Sequence, residues 1–296
     1  MQPALRAALE EVIAAATGRR FRIERTTAAG GGCVHQALVL EGGGARYFAK
    51  LNDARLADAF AAEADGLAAL SAAGVRTPGV VAHGAAAGSA YLVLEHLALG
   101  HGGEHGYRAL GAALARMHAH AGERFGWHRD NYIGATPQRN RASASWSEFW
   151  ARERLAPQLA LAAARGCGGE LQRLGEALVA AVPDLLAGHA PAPALLHGDL
   201  WSGNAAFLAD GTPVLFDPAV YRGDRETDLA MTELFGGFSA AFYDAYREAA
   251  PPDEGYSVRR TLYNLYHVLN HANLFGGGYA AQAEAMMVRL LAEVRG

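Results

Sequence analysis

The sequence predicts an α+β protein of two lobes, a small antiparallel sheet with one key helix followed by a larger, mainly helical part. Three observations carry that reading. Before residue 96, short alternating runs are separated by glycine clusters and by one long alanine-rich segment. After Gly100, apolar residues recur at helical spacing in seven long segments. A turn-rich stretch from His197 to Pro218 interrupts those helices with two short strands and concentrates His, Asp, Asn and Gly. The expected division is residues 1–95 for the first lobe, 96–100 for a hinge and 101–296 for the second. A chain of 296 residues is long enough for two such lobes with a substantial core.

In chain order, Ala4 to Ala16 has helical apolar spacing and stops near Gly18, and Phe21 to Arg25 alternates as a strand does. Gly30-Gly31-Gly32-Cys33 separates that run from a strand over Val34 to Leu40, and Gly42-Gly43-Gly44 turns the chain into a third strand that carries Lys50. Ala54 to Ala72 reads as one helix, ended by Gly74 and the Thr77-Pro78 break. Two short strands then lead to Tyr91-Leu92-Val93-Leu94-Glu95, with Glu95-His96-Leu97-Ala98 as the hinge. Helices are expected over Tyr107 to His120, Ser147 to Ala164, Glu170 to Leu186, Asp224 to Phe235, Ser239 to Ala249, Tyr256 to Leu274 and Ala280 to Val294. Ala205 to Leu208 and Pro213 to Phe216 flank Asp210-Gly211, a dipeptide suited to a tight hairpin.

That hairpin presents Asp199 and Asn204 before it and Asp217 after it, within His197-Gly198-Asp199-Leu200-Trp201-Ser202-Gly203-Asn204 and Phe216-Asp217-Pro218. Asp199 and Asn204 are five residues apart, the base-to-metal-ligand spacing of the kinase catalytic loop, and Asp217 follows where a second Mg²⁺ ligand is expected. Asp199 would accept the proton of an acceptor hydroxyl, Asn204 and Asp217 would hold Mg²⁺ through hard oxygens, and His197 would orient the loop. The bland alternative is a turn rich in Gly, Asp and Asn.

Phosphoryl transfer also needs a cation and a backbone donor loop for the phosphates. Of the 26 basic residues, 25 are arginine, and the single lysine is Lys50 in Tyr47-Phe48-Ala49-Lys50-Leu51, where a kinase places its phosphate-binding lysine. A compact ammonium suits a tight slot that a planar guanidinium would not; the competing reading is a compositional bias that spared one lysine. Glu63, thirteen residues on in the alanine-rich helix, is the candidate partner for Lys50, with Asp65 as a less well placed rival. Gly30, Gly31 and Gly32 would let backbone N–H groups approach ATP phosphates, although the trio alone reads more readily as a plain hairpin turn. Glu95 and Leu97 would offer hinge backbone to adenine.

Composition narrows the rest. Hydrophobic residues at 51%, charged residues at 19% and a mean hydropathy near zero fit a folded enzyme. A net charge of -4 with scattered arginines argues against a nucleic-acid partner. The first residues lack a basic stretch leading into an apolar run, and no stretch of about 18 uninterrupted apolar residues occurs, so a cytoplasmic protein without a membrane partner is expected. Cys33 and Cys167 are far apart and indicate neither a disulfide framework nor a zinc site. His128-Arg129-Asp130-Asn131 spells a catalytic-loop word, but Ala135 stands where its metal ligand would be. His101-Gly102-Gly103-Glu104-His105 matches a zinc word whose glycines would destabilise the helix needed to present both histidines.

Taken together, these stretches resemble the fructosamine kinase (ketosamine-3-kinase) family, small-molecule members of the protein-kinase-like fold, over nearly the whole chain. The resemblance rests also on Phe60 to Leu67, Asp130-Asn131-Tyr132-Ile133-Gly134 and Gly223 to Met231, and the tryptophan within HGDLWSGN separates the chain from aminoglycoside and choline kinases. It implies ATP- and Mg²⁺-dependent phosphorylation of the third hydroxyl of a ketosamine, free or protein-bound, to a 3-phosphate that breaks down and frees the amine. By carry-over Asp199, Lys50 and Glu63 are catalytic, Asn204 and Asp217 bind Mg²⁺, and Trp201, Asp130, Asn131 and Tyr132 are candidates for the sugar side. Cys33 matches a position where some members carry a redox-responsive cysteine; an inert small residue is the alternative. The chain departs from the family at Val34-His35. The oligomeric state is left open between monomer and homodimer, and a related small-molecule kinase or a non-catalytic ATP-binding regulator remain the competing functions.

Overall fold

The structure, a computed structural model, describes residues 1–30 and 35–294. Helix α1 (Pro3–Thr17) lies on a five-stranded antiparallel sheet of β1 (Arg25–Ala28), β2 (Gln36–Gly42), β3 (Ala45–Asp53), β4 (Val80–Ala86) and β5 (Ser89–Glu95), in the order β1-β2-β3-β5-β4. Helix α2 (Ala57–Ala72) packs on the other face. The two-residue period of β3 decides what each helix meets. Ala49 and Leu51 join Leu38, Leu40, Tyr91 and Val93 against Leu5, Leu9 and Ile13 of α1. Phe48 sits with Leu92, Leu94 and Phe60 of α2, which puts Lys50 on the α2 face. The expected strand at Phe21 is displaced: Phe21 and Ile23 are buried under α1, and pairing proper starts at Arg25.

The helical part begins with α3 (Glu104–His118) and continues through the small hairpin β6 (Asn131–Ile133) and β7 (Thr136–Gln138). Next, α4 (Trp146–Phe149) passes through a π-helical turn at Trp150–Leu155 into α5 (Ala156–Ala164), followed by α6 (Glu170–Leu185). Strands β8 (Ala194–Leu196) and β11 (Tyr221–Gly223) pair around the hairpin β9 (Ala205–Phe207) and β10 (Pro213–Leu215), so the two flanks of the candidate site are tied at its base. Helices α7 (Glu226–Leu234), α8 (Ala240–Ala249), α9 (Tyr256–Phe275) and α10 (Tyr279–Glu293) complete the chain. The hairpin β6–β7, strand β11 and the π turn are absent from the sequence-based expectation, being short or helix-like in pattern. Among the described residues no helix is long and apolar enough to cross a membrane.

The sheet and the helices share a core. Leu70 and Val75, at the end of α2, pack with Leu110, Leu114, Leu195, Leu200, Val220 and Phe242. Backbone bonds reinforce the junction: Gly100 and Phe207 exchange N–H···O bonds of 2.8 and 3.1 Å, and Leu215 N–H donates to the Arg76 carbonyl at 3.0 Å. Helices α3 and α8 meet so closely at Gly111 that an added Cβ would collide with the Phe242 carbonyl. Gly111→Ala is therefore expected to destabilise the protein by about 1–3 kcal/mol, read as a lower urea midpoint at unchanged m-value.

Candidate active site

The loop between β8 and β9 is held from beneath by a single buried carboxylate. Asp228, on α7, accepts the His197 N–H at 2.7 Å and the Gly198 N–H at 2.8 Å, and also faces His118 Nε2 at 3.1 Å. Burial works against its charge, but His118, His197 and the backbone donors hold its carboxyl below the usual range. Gly198 has φ of +82°, and a Cβ there would strike the Ala219 carbonyl, so the residue before Asp199 must be glycine. His197 is fully buried; its Nδ1 accepts from the Asp199 N–H at 3.3 Å, which leaves Nε2 to donate to the Phe216 carbonyl at 3.1 Å. Ala219 N–H to His197 O (2.9 Å) and Phe216 N–H to Asn204 O (3.1 Å) stitch this loop to the Asp217 segment.

Asp199 and Asn204 meet across a short 3₁₀ turn, Ser202–Asn204. The Asn204 amide donates to the Asp199 carbonyl at 2.8 Å and to its Oδ2 at 3.3 Å, which leaves the Asn204 Oδ1 as the atom a hard cation would use. Opposite, Lys50 Nζ donates to Glu63 Oε1 and to Asp217 Oδ1, both at 2.6 Å. Burial opposes the ammonium charge, but Glu63 and Asp217 outweigh it and push the Lys50 pKa up. Asp217 has φ of +57°, a left-handed conformation that Asp tolerates better than most side chains. Burial first, and then the neighbouring Asp217 carboxylate, raise the Asp199 pKa to about 7, against a smaller pull from Asn204.

Residues 5–293 match the fructosamine kinase family model. The chain belongs to the fructosamine kinase family. A protein named as a probable ketoamine kinase from Synechocystis sp. is 48% identical over 285 residues, 96% of each chain. A chloroplastic protein-ribulosamine 3-kinase of Oryza sativa subsp. indica is 37% identical over 277 residues, covering 91% of this chain and 80% of its own. The crystal structure of a protein designated a fructosamine-3-kinase from Haemophilus somnus superposes with a TM-score of 0.89 at 29% identity, over 96% of both chains. The fold is accordingly protein-kinase-like.

Within this fructosamine kinase frame, the other candidates separate. Gly30 is described and exposed; Gly31, Gly32 and Cys33 lie outside the described residues. The Glu95 N–H bonds the Gly79 carbonyl at 2.7 Å, while its carboxylate takes Arg76 at 2.7 Å and the Gly79 N–H at 3.0 Å. The Glu95 amide is thus used within the sheet. Asn131 is 4% exposed, donates to the Val220 carbonyl at 2.7 Å and accepts from Gln138 and Asn140, which makes it a structural residue rather than a sugar contact. Asp130 accepts the Asn140 N–H, and Tyr132 donates to Asp58 of α2 at 3.3 Å.

Trp201 is 39% exposed and covers Gly203, edge-on to Phe235, whose ring lies 4.7 Å from that of His271. The sequence reading missed Asp228, His118, Phe235 and His271; the run Asp224 to Met231 was noted, but no local pattern says that a carboxylate on a helix will turn beneath a loop thirty residues earlier. His35 bonds Asn52 at 2.8 Å with its ring 4.9 Å from Phe60, and burial followed by nearby Lys50 lowers its pKa. The words that imitate other sites resolve simply. Helix α3 starts at Glu104, so His101 and His105 do not share a helical face.

The raised Asp199 pKa has a stability consequence. An acid whose folded pKa lies above its unfolded value costs stability once pH exceeds the unfolded value, in full above the folded one. In the absence of ligands, Asp199→Asn is expected to raise the melting temperature at pH 8, with the gain shrinking as pH falls from about 7 towards 4, as followed by thermal denaturation across that range.

Proposed function

We propose that this chain transfers the γ-phosphoryl group of ATP to the 3-hydroxyl of a ketosamine, with Asp199 as the base. One observation carries the reading: the Lys50–Glu63–Asp217 cluster and the Asp199–Asn204 loop open onto each other and are stitched by backbone hydrogen bonds. Lys50, fixed by two carboxylates, offers its remaining N–H capacity to phosphate oxygens. Asp199, in its ionised form, takes the hydroxyl proton as the new P–O bond forms and the β–γ anhydride bond of ATP breaks to release ADP. Leu97 in the 96–100 linker would meet adenine, and the sheet lobe, residues 1–95, would close over the phosphates against residues 101–296.

The donor set suits Mg²⁺. Asn204 and Asp217 offer hard oxygens, and the like-charge pressure between Asp217 and Asp199 is what a divalent cation relieves. When bound, Mg²⁺ would neutralise charge on the transferring phosphoryl group. Trp201, with Phe235 and His271 behind it, would form the sugar-side wall, since an aromatic face backs the C–H surface of a polyol. The ribulosamine named for the plant relative makes a five-carbon adduct the first acceptor to try.

The deciding assay follows ATP consumption with Mg²⁺ on ribulose-, erythrulose- and fructose-amine adducts, with choline and an aminoglycoside alongside. Turnover on a ketosamine that vanishes in Asp199→Asn is expected; turnover only on choline or the aminoglycoside, or none despite ATP binding, would reject the proposal. For the active enzyme, log kcat/KM for the ketosamine is expected to rise with unit slope at acid pH and then level, because only the ionised carboxylate accepts the proton, with the break below the value of the metal-free site because Mg²⁺ offsets the Asp217 charge. A profile with no acid limb anywhere in the pH range over which the protein stays folded would remove Asp199 from that role.

A further inference from the structure

The segment around His128-Arg129-Asp130-Asn131, which has no part in the chemistry above, is bound to the helix that carries Glu63. Trp127 Nε1 donates to Asp65 Oδ2 at 2.7 Å, and His128 Nε2 lies 3.2 Å from Asp65 Oδ1. Two turns earlier on α2, Arg129 pairs with Asp58 at 2.7 Å and Tyr132 donates to the same carboxylate. Asp58 and Asp65 are seven residues apart, so they share one face of α2, whereas Glu63 is about 200° of helix rotation from Asp65. The helix is therefore gripped on one side by this segment and on the other by Lys50. A roll of α2 would break one grip or the other.

The same hairpin grips the Asp217 side. Asn131 donates to the Val220 carbonyl at 2.7 Å and Gln138 to the Ala219 carbonyl at 3.0 Å, while Gln138 accepts from Tyr266 of α9 at 2.8 Å. Gly66 of α2, lacking a Cβ, packs against Pro218 and Val220. The elements that carry both acids holding Lys50 are thus tied to one short stretch of chain, residues 127–138. The chain needs such a device because Asp217-Pro218 leads within four residues into β11, with no long segment after Asp217 that could be ordered to fix α2. The contacts are unequal in weight: Asp58 has a side chain 65% exposed, where an ion pair is screened and weak, while the Asp65 carboxylate is 29% exposed and takes a directed indole bond.

We propose that Trp127, acting through Asp65, is a positioning residue for phosphoryl transfer: it sets the rotation of α2 that keeps Glu63 on Lys50. This rests on the reading of Lys50 and Glu63 as the phosphate-holding pair. Trp127→Phe and Asp65→Ala are expected to weaken ATP binding, measured by calorimetry with Mg²⁺, by about 10-fold. They should lower kcat/KM for ATP to a similar degree, leave KM for the ketosamine unchanged, and speed amide exchange across residues 57–72. Asp65→Asn, which can still accept the indole N–H, should recover most of the affinity. In a Glu63→Gln background, Trp127→Phe should add no further loss.

Wild-type ATP affinity and exchange in both Trp127→Phe and Asp65→Ala would overturn the proposal. So would equal damage from Asp65→Asn and Asp65→Ala, or a fully additive loss on top of Glu63→Gln. If the unmodified protein turns over no ketosamine, the proposed function fails, while ATP affinity and exchange still decide the role of Trp127.

Discussion

The ammonium of Lys50 lies between Glu63 and Asp217, and the arrangement of three elements distant in sequence follows from keeping that charge compensated. A buried cation is tolerated only when its partners are close and correctly oriented, and removing Lys50 would leave two carboxylates without a counterion. β3 supplies the lysine by strand alternation, α2 supplies one acid by helical rotation, and the short run between β10 and β11 supplies the other. Two acids around one cation leave an excess of negative charge, and Asp199 adds to it. The same surplus of negative charge that surrounds Lys50 is one cause of the elevated Asp199 pKa, after burial.

Below the cleft the logic is that of a fully occupied buried carboxylate. Asp228 collects donors from the catalytic loop and from α3, so it is both satisfied and directional. The loop backbone at His197 and Gly198 is anchored by an α7 side chain buried in the helical core, while the carboxylate of Asp199 is held more lightly by the Asn204 amide. Arg154, in the π turn, plays a comparable part further down: its guanidinium lies 3.9 Å from the centre of the Tyr221 ring, propping β11 from within.

Much of this was legible in the sequence because the decisive signals are local. The spacing of Asp199, Asn204 and Asp217, the lone Lys50 on an alternating strand, and Glu63 within one helix are all readable from neighbours, and the structure brings them into one cleft. Element ends shifted where the cue was weak, as at Phe21, where apolar alternation reported burial under α1 rather than strand pairing. What could not be read depends on contacts across long separations. Asp228 beneath His197, Trp127 on Asp65 and Asn131 on Val220 join positions from 31 to 89 residues apart. The resemblance of 128–131 to a catalytic word concealed a structural one, since Asn suits a buried backbone cross-link as well as it suits a metal.

The single lysine has one more chemical meaning. Reducing sugars condense with uncharged, accessible ε-amines, and a guanidinium is a far poorer nucleophile. This chain carries one ε-amine in 296 residues, 6% exposed, protonated and enclosed by two carboxylates. A protein that handles sugar adducts of amines therefore presents almost no lysine surface on which such adducts could form, and its one lysine is masked by two carboxylates.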